Sequence, residues 1–177
     1  ELYEAHPDWI IKAPGREPVQ RRGGTQVVLD LTNPKVQDFA FSIFDNLLSN
    51  YPEIAYIKWD ANDPVMNHGS QDLPMDEQSH LYIKYHEALI QLCQRIRAKY
   101  PDVIIQDCAS GGGRANYGLL PYFDEFWVSD NTDALQRVYI QYGTSLFFPA
   151  NAMACHIIHV PYWNTGGRII PVKFGCD

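Results

Sequence analysis

Hydrophobic residues along this chain alternate between stretches of helical spacing and short compact runs. Apolar positions recur every three or four residues over 36–47 and again over 81–96, which predicts two amphipathic helices. The spacing predicts a third helix over 133–143. Short runs rich in β-branched and aromatic residues separate these helices, as strands do. The pattern therefore predicts a parallel sheet with helices outside it.

The strand candidates are the compact runs at residues 27–31, 54–59, 103–107, 126–129 and 155–160. A short helix over 115–120 is predicted between the third and fourth runs, and a long polar loop over 61–75 follows the second. Residues 1–26 are rich in Pro, Gly and Arg, which predicts a loop with one short helical turn. Four or five βα units are thus expected along the chain.

A complete (β/α)8 barrel takes about 250 residues, so the 177 residues of this chain predict a partial (β/α)8 TIM barrel. Residues 1–177 are then a fragment of a single catalytic domain, with no complete second domain. An open, doubly wound sheet is the competing architecture, because alternation of strands and helices is common to both folds.

Composition narrows the classes of function. Hydrophobic residues make up 46% of the chain, which is enough for a packed core, and the net charge of −7 disfavours nucleic acid and anionic lipid as partners. No apolar run approaches the roughly 18 residues of a membrane span, so we expect a soluble protein that carries no targeting segment in this chain, in a compartment left open. The four cysteines form no CxxC pair, so neither a disulfide scaffold nor a zinc site is indicated.

Polar or Gly-rich segments lie at the carboxyl ends of three consecutive strand candidates. Residues 56–62 and 126–133 each end a strand with an aspartate, and the Gly-rich segment 108–114 lies between them. Barrel enzymes keep their active sites at the carboxyl ends of their strands. These segments are therefore the candidate active site.

Asp60 is the candidate nucleophile. Residues two apart on a strand share a face, so Lys58, Asp60 and, if the extension persists, Asn62 point one way while Trp59 points the other. The Lys58 ammonium favours the ionised form of Asp60, as a nucleophilic carboxylate requires. The competing interpretation is a structural salt bridge at a strand end.

Asp130 is the candidate general acid and base. It ends the strand two units after that of Asp60, and strand ends two apart can bring carboxylates to the roughly 5 to 5.5 Å that retaining glycosidases use. Trp127 could desolvate Asp130 and favour its protonated form. The alternative is a helix N-cap role shared with Asn131 and Thr132.

Other polar residues have simpler interpretations. The glycines of 108–114 lack a P-loop signature, so they are expected to let backbone approach a sugar. His156 and His159 fall on opposite faces of a strand, which disfavours metal binding. Asp133 and Arg137 form a structural i,i+4 pair, and Asp30 is expected to hydrogen-bond the loop that follows it.

Together these residues resemble the family-36 glycoside hydrolases, the microbial and plant α-galactosidase group. Residues 56–62 resemble its K-W-D-x-N nucleophile motif, and 108–114 resemble its C-x-S-G-G-G-R loop. Residues 129–134, with Arg137 and 140–145, resemble its acid/base motif. Segments 6–9 and 28–32 also match, so the similarity runs through most of the chain in the family's order.

The resemblance implies a retaining α-galactosidase that needs no metal and no cofactor, with Asp60 as nucleophile and Asp130 as acid/base. The residues it implies for the galactose subsite are Lys58, Asn62, Cys108, Gly111 and Trp127. The substrates would be α-galactoside oligosaccharides, and the full-length protein would be a homo-oligomer. The segment would cover about strands 3–7 of the barrel.

The chain also departs from the family. It has no Asp-Asp pair, whereas the family binds galactose hydroxyls through an Asp-Asp-Gly-Trp segment. An α-galactosyltransferase of the raffinose-synthase type, a non-catalytic fragment and a specificity for N-acetylgalactosamine therefore stay open as alternatives.

Overall fold

The computed structural model describes residues 1–20, 24, 26–158 and 169–176. The chain forms two compact units, one of Glu1–Ala55 with Asp63–Val103 and the other of Tyr56–Asn62 with Ile104–Asp177. The first unit is helical, and the second holds the sheet. Within the described ranges, no helix has the length and apolar character needed to cross a membrane.

The helices of the first unit are α1 (Leu2–Ala5), α2 (Pro34–Asn50) and α3 (Leu81–Lys99), with 3-10 turns at Pro7–Trp9 and Met75–His80. The predictions of α2, α3 and a short turn near the start are confirmed. α2 begins where the Asn33 side chain accepts a hydrogen bond of 2.9 Å from the Lys35 amide, with Pro34 at the first helical position. Residues 61–74 have no regular structure, as predicted.

α2 and α3 pack against each other. The apolar stripe of α3 supplies the buried residues Leu89, Leu92 and Ile96, which follows from their helical spacing. An ion pair of 2.8 Å joins Arg95 of α3 to Asp38 of α2. Its side chains are 41% and 70% exposed, so the buried apolar contacts stabilise this pairing more than the charges do.

The predicted strand at 27–31 is wrong. This segment is extended. Among the described residues, its backbone bonds to residues 9–11, where the Asp30 amide donates to the Trp9 carbonyl at 2.7 Å and the Ile11 amide donates to the Val28 carbonyl at 2.9 Å. The pairing amounts to one isolated antiparallel bridge, between Ile10 and Leu29. A β-branched run marks an extended segment but does not specify its partner. Asp30 is fully buried and accepts from the Thr32 hydroxyl at 2.6 Å, which confirms its local structural role.

The sheet of the second unit contains β1 (Tyr56–Asp60), β2 (Ile104–Cys108), β3 (Glu125–Trp127) and β4 (Met153–Ala154). All neighbouring pairs are parallel, and the spatial order β1-β2-β3-β4 is the order along the chain. Doubly wound sheets reverse their strand order at a switch point. Consecutive parallel strands are instead the arrangement found within a (β/α)8 barrel.

The remaining elements are α4 (Ala134–Ser145), a 3-10 turn at Ala150–Ala152 and α5 (Val172–Cys176). The helix over 133–143 is confirmed by α4. The predicted strand at 155–160 is wrong, since β4 pairs two residues earlier with the short β3, residues 155–158 are unpaired and 159–160 lie outside the described residues. The helix predicted over 115–120 is a series of turns, because Gly118 and Pro121 restrict so short a segment.

Strand register defines the two faces of the sheet. Lys58 pairs with Gln106 and Gln106 with Glu125, while Asp60 pairs with Cys108. Side chains in register on parallel strands share a face. The face they share, which we call the site face, carries Lys58, Asp60, Gln106, Cys108, Glu125 and Trp127.

Candidate active site

The end of β1 presents alternating side chains, as predicted. Tyr56, Lys58 and Asp60 are exposed, whereas Ile57 and Trp59 are partly buried. Trp59 packs on the opposite face against Phe123, with ring centroids 5.9 Å apart. Because of this alternation, the Lys58 ammonium and the Asp60 carboxylate both lie on the site face at the end of β1.

Asp60 is held by donors from two directions. Asn62 Nδ2 donates to Asp60 Oδ2 at 2.9 Å, and the Cys108 thiol on the neighbouring strand also hydrogen-bonds this carboxylate. Burial raises the pKa of the Cys108 thiol; the backbone hydrogen bond with Gly111 opposes this, and the bond to Asp60 adds to it. Cys108 thus stays a protonated donor rather than a thiolate.

The Gly-rich segment is tied to the same carboxylate through Asn62. The Ser110 amide donates to Asn62 Oδ1 at 2.7 Å, which leaves Asn62 Nδ2 directed at Asp60. Ser110 itself has a positive φ of 51°, an uncommon conformation for a residue with a side chain. The turn at 110–111 is thus shaped to bring a backbone amide to Asn62.

Asp130 lies three residues beyond β3, at the same carboxyl edge of the sheet as Asp60. Trp127 Nε1 donates to Asp130 Oδ1 at 3.0 Å. Both aspartates are exposed, whereas Trp127 and Cys108 are 8% and 2% exposed. The two carboxylates are therefore open to a ligand while the side chains that bond them are fixed by packing.

The loop after Asp130 excludes the helix-cap alternative. α4 is capped by Asp133, whose side chain accepts from the Leu135 amide at 3.2 Å. Asn131 contributes just before the cap, with its Oδ1 accepting from the Asp133 amide at 3.0 Å. The cap is thus made without Asp130, whose carboxylate is directed to Trp127 instead.

Gly111 packs against the backbone that carries Asp130. Its φ is +83°, and a Cβ placed there would stand 2.8 Å from Ser129 Cα and 3.2 Å from the Asp130 nitrogen. No side chain fits without moving that backbone. The Gly-rich segment therefore contacts both halves of the candidate site, through Asn62 on one side and Asp130 on the other.

Lys58 and Trp127 link the two halves. Lys58 Nζ lies 4.8 Å from the centroid of the Trp127 ring, a distance at which a cation is attracted to an aromatic face. Lys58 therefore neighbours Asp60 on its own strand and the indole that bonds Asp130. The sequence-predicted residues at 58, 60, 62, 108, 111, 127 and 130 form one connected set.

Three charged residues near the candidate site make contacts that the sequence analysis did not predict. Glu125 on the site face accepts hydrogen bonds from Tyr56 at 2.7 Å and from Gln106 at 2.6 Å. Its register with Lys58, through Gln106 on the strand between them, is the signal that could have identified it. On the opposite face, Arg114 pairs with the buried Asp107 at 2.6 Å. Burial raises the pKa of Asp107, and the Arg114 charge opposes that rise.

Arg137 is the third. Its side chain was predicted to pair with that of Asp133. The bond of 2.8 Å from the Arg137 amide to the Asp133 carbonyl is a backbone bond of the helix and does not test that prediction. Its guanidinium, however, donates to the Ser129 carbonyl at 2.6 Å. Helical spacing could not predict that contact, because Ser129 lies outside the helix.

The imidazole of His156 meets the Trp127 ring edge-on, with centroids 5.0 Å apart. His159, the other half of the H-x-x-H pattern, lies outside the described residues. Among the side chains that the structure describes, no cluster of three His, Cys, Asp or Glu residues could hold a metal ion.

Comparison with known proteins gives concordant matches. The family model described as Melibiase matches residues 1–175. The chain is 39% identical over 173 residues to alpha-galactosidase AgaA of Geobacillus stearothermophilus, covering 98% of this chain and 23% of that protein.

Solved structures agree with this match. The alpha-galactosidase from Lactobacillus brevis aligns with a TM-score of 0.91 and 38% identity, covering 99% of this chain and 23% of that one. A variant of the Geobacillus AgaA in complex with raffinose aligns with a TM-score of 0.90 and 37% identity, covering 99% and 24%. The chain therefore spans less than a quarter of these relatives, and its sheet belongs to a (β/α)8 barrel.

Proposed function

Because the chain belongs to the melibiase family, we propose that the protein containing it hydrolyses terminal α-linked galactose by double displacement. The observation that carries the proposal is the connected set at one edge of the sheet. Asp60 and Asp130 are both exposed there; Lys58, two residues before Asp60 on β1, contacts the ring of Trp127, and Trp127 bonds Asp130. The expected substrates are α-galactoside oligosaccharides.

In the first step, an oxygen of Asp60 forms a bond to the anomeric carbon while the bond from that carbon to the leaving oxygen breaks. Asp130 gives its proton to the leaving oxygen. Asn62 and the Cys108 thiol, which bond Asp60, orient the nucleophile toward the sugar. The Lys58 charge stabilises the carboxylate before attack.

In the second step, the covalent bond between Asp60 and the sugar is broken by water. Asp130, now ionised, takes a proton from that water as its oxygen attacks the anomeric carbon. Two inversions return the original configuration. Release of galactose regenerates the ionised Asp60 and the protonated Asp130.

The subsite for galactose is proposed to include Lys58, Asn62, Cys108, Gly111 and Trp127. Lys58 can donate to a ring hydroxyl because its ammonium has three donors. Trp127 is placed beside the sugar by its hydrogen bond to Asp130. Gly111, with no side chain and a backbone against Asp130, allows the sugar to approach the acid closely.

The test uses a chimera, in which the matching 173-residue segment of the Geobacillus relative is replaced by this chain. Asp60→Gly in the chimera should abolish hydrolysis of 4-nitrophenyl α-galactoside. Azide should partially restore turnover and yield β-galactosyl azide, because the small anion fills the space of the missing carboxylate. Asp72→Gly, which removes an exposed carboxylate outside the sheet, is the matched control.

Three outcomes would replace the proposal. Full activity of Asp60→Gly would remove Asp60 from its role. A product with the galactosyl group on sucrose, formed in preference to free galactose, would identify an α-galactosyltransferase of the raffinose-synthase type. Faster release from 4-nitrophenyl N-acetyl-α-galactosaminide would assign the amino sugar as the substrate.

A further inference from the structure

Arg137 has an unusual environment for an arginine on a helix. Its side chain is only 5% exposed. Its Nη2 donates to the Ser129 carbonyl at 2.6 Å and its Nη1 to Gln141 at 3.3 Å, while its Nε has no acceptor among the described residues. Burial of a guanidinium with incomplete hydrogen bonding is costly. Packing alone would be served as well by an apolar residue of the same size.

The guanidinium also contacts Trp127. Arg137 Cζ lies 4.7 Å from the centroid of the indole ring, within the range of a cation–π contact, which is stronger when the cation is desolvated. Lys58 lies 4.8 Å from the same centroid. The ring is thus restrained by two cations, one exposed and one buried.

Both contacts of Arg137 converge on Asp130. Ser129 is the residue directly before it, so its carbonyl fixes the backbone from which the carboxylate projects. Trp127 is the donor to its Oδ1 at 3.0 Å. Asp130 is also close enough for its charge to act on Arg137.

We propose that Arg137 is a positioning residue for Asp130, which holds the Ser129 carbonyl and the Trp127 ring so that the acid meets the leaving oxygen. The inference rests on the proposed function, in which Asp130 is the general acid. Arg137 does not touch the sugar. Its effect is on the placement of the carboxyl at the moment of proton transfer.

The test compares two substrates of the chimera that differ in their need for an acid. Methyl α-galactoside has a poor leaving group and depends on protonation, whereas 4-nitrophenolate leaves with little assistance. Arg137→Met keeps the aliphatic bulk and removes both contacts. The measured quantity is kcat/KM, because it reports the first step, in which the acid acts, and not the second step that both substrates share. We expect kcat/KM for methyl α-galactoside to fall about ten- to a hundredfold and kcat/KM for 4-nitrophenyl α-galactoside to fall much less.

Gln136→Met is the matched control, because Gln136 is the exposed neighbour on the same helix. It should leave both rates unchanged. Arg137→Lys retains a cation without the planar fork, so it should show the same selective loss to a smaller extent. If Arg137→Met does not fold, Arg137→Lys carries the test. An equal loss on both substrates, or no loss on either, would overturn the inference.

The variant Asp130→Asn distinguishes a failure of the positioning role of Arg137 from a failure of the proposed acid role of Asp130. Since Asp130 is the general acid of the first step, Asp130→Asn should lower kcat/KM selectively for methyl α-galactoside, on the order of 10²-fold or more. If Asp130→Asn is selective and the Arg137 variants are not, the positioning role alone is wrong. If Asp130→Asn affects the two substrates equally, the assignment of Asp130 as the acid is wrong, and the positioning role of Arg137 is then also wrong.

Discussion

Asn62 donates a hydrogen bond of 2.9 Å to Asp60 and accepts one of 2.7 Å from the Ser110 amide. One amide side chain thus sets the orientation of the candidate nucleophile and the position of the Gly-rich segment. The amide is suited to this because it combines a donor and an acceptor. Neither Asp nor Ala at position 62 can reproduce both bonds.

Asn62→Ala should therefore lower kcat for 4-nitrophenyl α-galactoside in the chimera by about ten- to a hundredfold, since a hydrogen bond to a charged group contributes about 1.5–3 kcal/mol. Asn62→Asp should be worse, because it places a second negative charge beside Asp60. Asn50→Ala is the control; Asn50 is an exposed asparagine on α2 that bonds the Asn46 carbonyl at 2.7 Å. Equal rates for Asn62→Ala and Asn50→Ala would contradict the bridging role.

Gly111→Ala should displace Asp130. Its new Cβ would meet Ser129 Cα at 2.8 Å, and its φ of +83° is strained for any L side chain. A shift of about 1 Å in a reacting group can cost on the order of 10²-fold in rate, so steady-state kinetics of the chimera should show a loss of that size.

The variant Gly15→Ala distinguishes the effect of backbone strain from the effect of the contact that a side chain at position 111 would make with Ser129 and Asp130. Gly15 has a φ of +71°, and a Cβ there meets nothing within 4 Å. Both variants should lose stability by roughly 1–2 kcal/mol from the left-handed conformation, but only Gly111→Ala should lose activity. Matching activity losses in the two variants would mean that the approach to Asp130 has no functional importance.

The sequence predicts the fold class and the directions of side chains on a strand, but it does not predict all of the pairing between segments. The faces to which Lys58, Trp59 and Asp60 point can be predicted from strand alternation alone, because alternation depends only on the local pleat. The segment that pairs with residues 27–31 cannot be predicted in this way, because pairing depends on segments distant in sequence. Arg137 illustrates the same limit: its spacing from Asp133 is visible, whereas its contact with Ser129 depends on how the loop before α4 folds back.

Arg114→Met should destabilise the fold in a pH-dependent way. Asp107 is 3% exposed and Arg114 is 17% exposed, and removal of one partner of a buried pair costs about 3–5 kcal/mol. Burial already raises the pKa of Asp107, with Arg114 opposing it, so loss of Arg114 raises that pKa further. A carboxyl whose pKa is higher in the folded than in the unfolded state favours the fold at low pH and loses that contribution as pH rises through the folded value.

The destabilisation by Arg114→Met should therefore be largest at neutral pH and shrink as pH falls and Asp107 takes up a proton. Urea unfolding of the chimera at several pH values measures this. Arg95→Met, which breaks an exposed pair with Asp38, should cost no more than about 1 kcal/mol. A destabilisation by Arg114→Met that grows toward low pH would mean that loss of Arg114 lowers the pKa of Asp107 in the fold, which would contradict the role of Arg114 as the charge that opposes the rise.

The 177-residue chain expressed by itself should self-associate and show no hydrolysis. α4 carries a stripe of exposed apolar residues at helical spacing, in which Val138, Tyr139 and Tyr142 are 57%, 74% and 68% exposed. Exposed apolar stripes of this kind associate in water. The charged variant Tyr139→Glu should reduce the association, because it places a desolvation cost at the middle of the stripe.

Light scattering and release of 4-nitrophenol from 4-nitrophenyl α-galactoside measure the two properties of the isolated chain. Gln136→Glu adds the same charge at an exposed position of α4 beside the stripe, and it should reduce association less than Tyr139→Glu does. Hydrolysis by the isolated chain that is abolished by Asp60→Gly would show that the connected set around Asp60 and Asp130 is sufficient for catalysis. In that case the residues that the relatives supply from the rest of their length would be needed for affinity and not for the chemical steps.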